Sequence, residues 1–147
     1  MSTATEVSKK VAAVKEYFAR GDAGRPDLLD SFADDFQFYF PKFGIGSGKA
    51  EFGQFVSGLI GSLKSISHDI DAMKFFEGSN FVVVEGTTEG VYGDGATWSG
   101  GQTPGGRFCS LFEFRDDGLI SRMHIYLDPD YSSKDAGRFL WGTDRRW

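Results

Sequence analysis

Apolar residues recur along this chain in two rhythms, and the switches between them mark out the elements. Val7, Val11, Val14 and Phe18 stand at helical spacing, with Thr3 and Glu6 placed as a capping box and Gly21 as the stop, which predicts a first helix. Pro26 suits the opening turn of a short second helix carrying Leu28, Leu29 and Phe32. Over 35–40 the period changes to two, which predicts a strand closed by Pro41 with Phe36, Phe38 and Phe40 on its inward face. A glycine-rich turn then leads into a third helix whose stripe is Phe52, Phe55, Val56, Leu59, Ile60 and Leu63.

Strands are predicted over 67–76, 81–92, 107–114 and 119–127, with turns at 77–80 and 116–118 joining antiparallel neighbours. The stretch 93–106 is too glycine-rich for a regular strand and long for a hairpin, so it is expected to be a mobile flap. Ser132 and Asp135 form a second capping box before a short last helix with Ala136, Phe139, Leu140 and Trp141. This order predicts an α+β fold: a cone-shaped, curved antiparallel sheet wrapped around N-terminal helices and enclosing an apolar pocket. No repeat or composition break divides residues 1–147, which are expected to form a single domain.

Fifteen phenylalanines in 147 residues supply more bulky apolar surface than a core this small needs, so part of it is assigned to pocket lining. The formal charge of −5 is spread along the chain without a basic stripe, which argues against a nucleic-acid partner. No apolar run reaches the length of a membrane helix and the N-terminus lacks a signal-peptide core, so a cytoplasmic location and no membrane partner are expected. The single cysteine, Cys109, reads as a packing residue. Gly44, Gly46, Gly48 and Lys49 suggest a phosphate loop, but Phe43 and Ala50 stand where that motif needs glycine and a hydroxyl residue. No metal-ligand spacing is present, and neither a metal nor a cofactor is predicted.

Four segments carry a family resemblance: FARGD at 18–22, SFADDF at 31–36, Gly48-Lys49 opening a helix, and DGLISRMHIYLDP at 117–129. In order and spacing the chain resembles the nuclear transport factor 2-like superfamily, in its SnoaL-like form. That superfamily includes polyketide cyclases, ketosteroid isomerases, epoxide hydrolases, scytalone dehydratases and dehydrochlorinases. The resemblance implies the cone fold and pairing of subunits through the outer face of the sheet. It does not by itself imply an activity, because one cone serves many reactions and non-catalytic binding.

Several of the superfamily's catalytic positions are empty in this chain. The isomerase base aspartate falls at Phe40 and the oxyanion-binding aspartate at Ser110. The isomerase tyrosine falls near Val14, with Tyr17 a weaker match. The last-strand aspartate of cyclases and hydrolases falls at Ile125. Alternation on that strand puts Met123, Ile125 and Leu127 on the pocket face, and Arg122, His124, Tyr126 and Asp128 on the outer one. What the resemblance retains is the dehydratase pair: an aspartate after the first helix and a histidine at the start of the second strand, here Asp22 and His68.

An imidazole in an apolar pocket, oriented by a carboxylate, is a workable general acid/base. Asp22 is also what a helix cap or turn would use, and an inward histidine also serves as a core residue. The expected ligand is a small apolar, cyclic molecule held among Phe36, Phe38, Phe40, Phe108, Ser110, Phe112, Met123, Ile125 and Leu127. Two functions stay open: a cofactor-independent acid/base lyase or isomerase using His68 and Asp22, and a non-catalytic ligand-binding or dimeric association module of the same fold.

Overall fold

The computed structural model describes residues 8–142; the Thr3/Glu6 box lies outside them. Helix α1 (Lys9–Asp22) is capped instead by Ser8, whose Oγ accepts the Val11 N–H at 3.0 Å, and it buries Val14 and Phe18. No second helix follows. Residues 26–31 make successive turns, Asp30 N–H to Asp27 O and Phe32 N–H to Leu29 O, and Phe32 already opens strand β1 (Phe32–Phe40). So short a segment cannot repay helix nucleation. Strand β2 (Gly44–Ser47) hairpins back onto β1, and helix α2 (Gly48–Ser62) follows.

The stretch predicted as one strand over 67–76 is two. Strand β3 (Leu63–His68) takes Leu63 from the predicted helix, a single 3-10 turn spans Ile70–Ala72, and strand β4 (Lys74–Glu77) resumes. Both strands run along one edge of β5 (Phe81–Tyr92), and the detour between them tucks Met73 into the core beside Gly86. Strands β6 (Thr97–Ser99), β7 (Arg107–Phe114) and β8 (Ile120–Tyr126) complete a sheet ordered β2-β1-β8-β7-β5-β3, with β4 and β6 also on β5. Neighbours pair antiparallel except β1 with β8, which are parallel: the chain leaves β1 and returns to it only after building the rest of the sheet.

Residues 93–106 are a packed plug rather than a flap. Trp98, Thr103, Gly105 and Gly106 are buried, Trp98 Nε1–H donates to Thr88 Oγ1 at 3.0 Å, and the Trp98 ring lies 4.8 Å from that of Tyr131. The predicted last helix is only a 3-10 turn, Ala136–Arg138, because Asp130 accepts the N–H groups of Lys134 and Asp135 and holds the chain in a turn; Leu140 and Trp141 are exposed. No helix among the described residues is long and apolar enough to cross a membrane.

The inner face of the curved sheet carries the core. Phe36, Phe38 and Phe40 of β1 point inward with Phe108, Phe112 and Phe114 of β7 and Val82 and Val84 of β5, closed over by Phe18 of α1 and Phe52 and Phe55 of α2. The result is an α+β cone, with both helices against one face of the sheet.

Candidate functional site

A cavity of about 150 Å³ lies between α1, α2 and the inner face of β7 and β8. Of the nine residues predicted to line it, Phe40, Phe108, Ser110, Ile125 and Leu127 do so. Phe36, Phe38, Phe112 and Met123 do not: they are solid core, each 3% exposed or less, packed against one another and against α1 and α2. Alternation places all nine on the inward face, but depth along the cone separates core from lining. The helices contribute further lining that was not predicted, among it Tyr17, Phe52, Phe55 and Leu59.

At one end of the cavity Asp22 and His68 meet. Asp22 is the last residue of α1 and His68 the last of β3, not the first of a strand. The His68 Nδ1 lies 2.7 Å from Asp22 Oδ1, and the His68 backbone N–H donates to Asp22 Oδ2 at 2.8 Å. A carboxylate at a helix C-terminus opposes the helix dipole, and the two donors from β3 offset that cost. The imidazole is wedged between rings, with its centroid 4.7 Å from Phe18 and 5.4 Å from Phe108. With Nδ1–H given to Asp22, the lone pair of Nε2 is left to accept a proton. The pair is about one-fifth exposed on each side, open enough for exchange with solvent.

Two further hydroxyls border the cavity. Ser110 is fully buried, and its Oγ has no hydrogen-bond partner among the described residues. Such an orphan costs about 1–3 kcal/mol. Tyr17 lies one helical turn beyond Val14; burial, and secondarily the charge of Asp22, push its phenol well above the ordinary tyrosine range, so it stays protonated. Its inward position was legible, since 14, 17, 18 and 21 form one stripe of α1. Thr88 also lines the cavity, but its hydroxyl is already engaged by Trp98 and by Gly105 O.

The outer face of the sheet holds a different cluster. His124 is 6% exposed; its Nε2 lies 2.8 Å from Gln37 Oε1 and 3.2 Å from Arg122 Nε, and its Nδ1 lies 3.3 Å from Arg122 Nη2 and 3.4 Å from the Tyr126 hydroxyl. Burial and then the Arg122 guanidinium lower its pKa against the opposing pull of Glu113, which binds Arg122 at 2.6 Å. Tyr126 is exposed beside it and Asp128 caps the Asp130 N–H, so no acid/base set forms on the last strand. No group of three or more His, Cys, Asp or Glu among the described residues could hold a metal ion.

Residues 11–123 match the SnoaL-like domain, and the chain belongs to that family. Solved structures share the fold. TerC, crystallised with polyporic acid, is 22% identical with a TM-score of 0.70 over 82% of this chain and 92% of its own. A polyketide cyclase candidate from Pseudomonas putida is 18% identical with a TM-score of 0.70 over 86% and 97%. An NTF2-like protein from Anabaena variabilis is 25% identical with a TM-score of 0.67 over 90% and 97%. No protein of curated function matches the chain.

Proposed function

We propose that this protein is a cofactor-independent acid/base enzyme of the lyase or isomerase type, acting on a small apolar, cyclic molecule. The observation that carries the reading is the imidazole–carboxylate pair, 2.7 Å apart and anchored a second time through the His68 backbone, on a cavity walled mostly by apolar side chains. His68 Nε2 removes a proton from the bound molecule and returns it. Asp22 is the positioning residue, holding the reactive tautomer and stabilising the imidazolium. The neighbours described as a polyketide cyclase candidate and as a complex with polyporic acid fit a cavity for small organic molecules. The test is hydrogen–deuterium exchange at the acidic carbons of cyclic ketones in deuterium oxide, wild type against His68→Ala. Exchange that survives the substitution would remove the proposal and leave the binding-module reading.

The chain is further proposed to pair with a second copy through the outer face of β7 and β8. Supporting this, Tyr126 stands 49% exposed beside the Arg122–His124 cluster, whose polar groups are already satisfied within the chain. Sedimentation equilibrium should give a dimer that Tyr126→Glu dissociates; a wild-type monomer at micromolar concentration would refute it.

A further inference from the structure

The inner face of β7 reads Phe108, Ser110, Phe112, Phe114: three large rings and one short hydroxyl. Across the sheet Ser110 is flanked by Val84 on β5 and Ile125 on β8, neither of which carries a hydroxyl. The cavity therefore opens where one phenylalanine is missing from the wall. Its roughly 150 Å³ is the size at which an engineered apolar cavity in another protein admits one benzene ring.

We infer that the ligand of this cavity is a neutral molecule with a single six-membered ring and one ring-attached oxygen, the ring filling the notch at Ser110 and the oxygen bonding Ser110 Oγ. The inference deepens the proposed function and rests on it for the role of His68, though not for ring size or polarity. Three observations fix the class. The volume matches one ring, so a fused second ring would have to project out of the cavity. Ser110 Oγ is fully buried without a partner among the described residues, and a buried hydroxyl in that state gains from any oxygen brought to it. The residues lining the cavity include no lysine or arginine, while Asp22 supplies a carboxylate, so an anionic ligand would enter against a charge of its own sign. Tyr17, whose phenol borders the same cavity and stays protonated, offers the oxygen a second donor.

Calorimetric titration with phenol, toluene, naphthol and benzoate tests this directly on the wild-type protein. Phenol should bind about 10-fold more tightly than naphthol despite its smaller apolar area, and benzoate should not bind. In Ser110→Ala, phenol should weaken about 10-fold while toluene is unchanged or tighter. Naphthol binding as tightly as phenol, a phenol-to-toluene ratio unaffected by Ser110→Ala, or no binding by any probe would each overturn the inference. The wild-type ring-size comparison does not depend on the variant folding. Deuterium exchange of cyclohexenone and tetralone separates this inference from the acid/base reading. Exchange confined to the two-ring ketone would sink the single-ring class and leave His68 as the base. Ser110-dependent phenol binding without exchange on any ketone would do the reverse.

Discussion

The chain has two histidines, and they sit on opposite faces of the sheet with partners of opposite charge. His68, at the cavity, gives its Nδ1 proton to the Asp22 carboxylate and keeps Nε2 free. His124, on the outer face, is more deeply buried, with Gln37 Oε1 beside Nε2 and the Arg122 guanidinium against both ring nitrogens. Both rings touch aromatic neighbours, so aromatic packing does not distinguish them. The sign of the neighbouring charge does: a carboxylate stabilises the imidazolium that forms in proton transfer, while a guanidinium opposes it.

The largest effect that would break this contrast is on turnover. His68→Ala should lower exchange or turnover on the order of 10² to 10⁴ fold, and His124→Gln should leave it unchanged. Equal effects at the two sites, read by kinetics on folded variants, would erase the distinction.

Gly90 tests the scaffold under His68 alone. It pairs with Ile66 of β3, and a Cβ there would run into the Ser65 carbonyl oxygen and the Trp98 ring. Gly90→Ala should therefore cost about 3 kcal/mol in denaturant unfolding, because a backbone atom cannot step aside as a side chain can. Loss of hydrogen-exchange protection should centre on β3 and spare β8. Protection lost equally in both strands would show that the two histidines share one cooperative scaffold.

Asp22→Asn removes the charge and keeps the shape. Catalysis should fall about 100-fold with little change in ligand affinity. Amide oxygen cannot replace both acceptors, so the His68 N–H or the ring loses its bond; NMR of the ring nitrogens would report which. An unchanged rate would make Asp22 a helix-end residue only.

The smallest effect concerns His124. Its pKa is lower in the folded chain than in the unfolded one, so the unfolded chain takes up the proton first as pH falls below about 6.5. Stability contributed by the neutral ring is thus intact above that value and lost on acidification. His124→Gln should flatten the dependence of melting temperature on pH over that window. An unchanged slope would mean that His124 titrates alike in both states.

Some of this architecture was legible from local pattern. Phe36, Phe38 and Phe40 alternate because one face of β1 is buried, and the apolar stripe of α2 has helical period for the same reason. The outward placement of His124 and Tyr126 also followed from counting by twos along β8. Local pattern could not reveal that 67–76 breaks around Met73, since that detour exists to seat Met73 beside Gly86, whose bareness also admits the Phe108 ring. Nor could it foresee the plug at 93–106, where glycines that suggest mobility instead allow Tyr131 and Arg107 to pack close. Phe112 and Met123 were expected in the lining and lie in the core because alternation reports which face a residue takes, not how far down the cone it sits.

By itself the sequence determined the periods, and therefore the long helices and strands, their inward faces and the family to which the chain belongs. Only the tertiary structure decided which inward residues meet. Asp22 and His68 are 46 positions apart, and no local period connects the end of a helix to the end of a strand. Ser110 became a notch only when three phenylalanines of its own strand and the helices opposite filled everything around it. Faces are set by interactions a few residues long, whereas cavities and charge pairs depend on contacts that form only when distant segments close on one another.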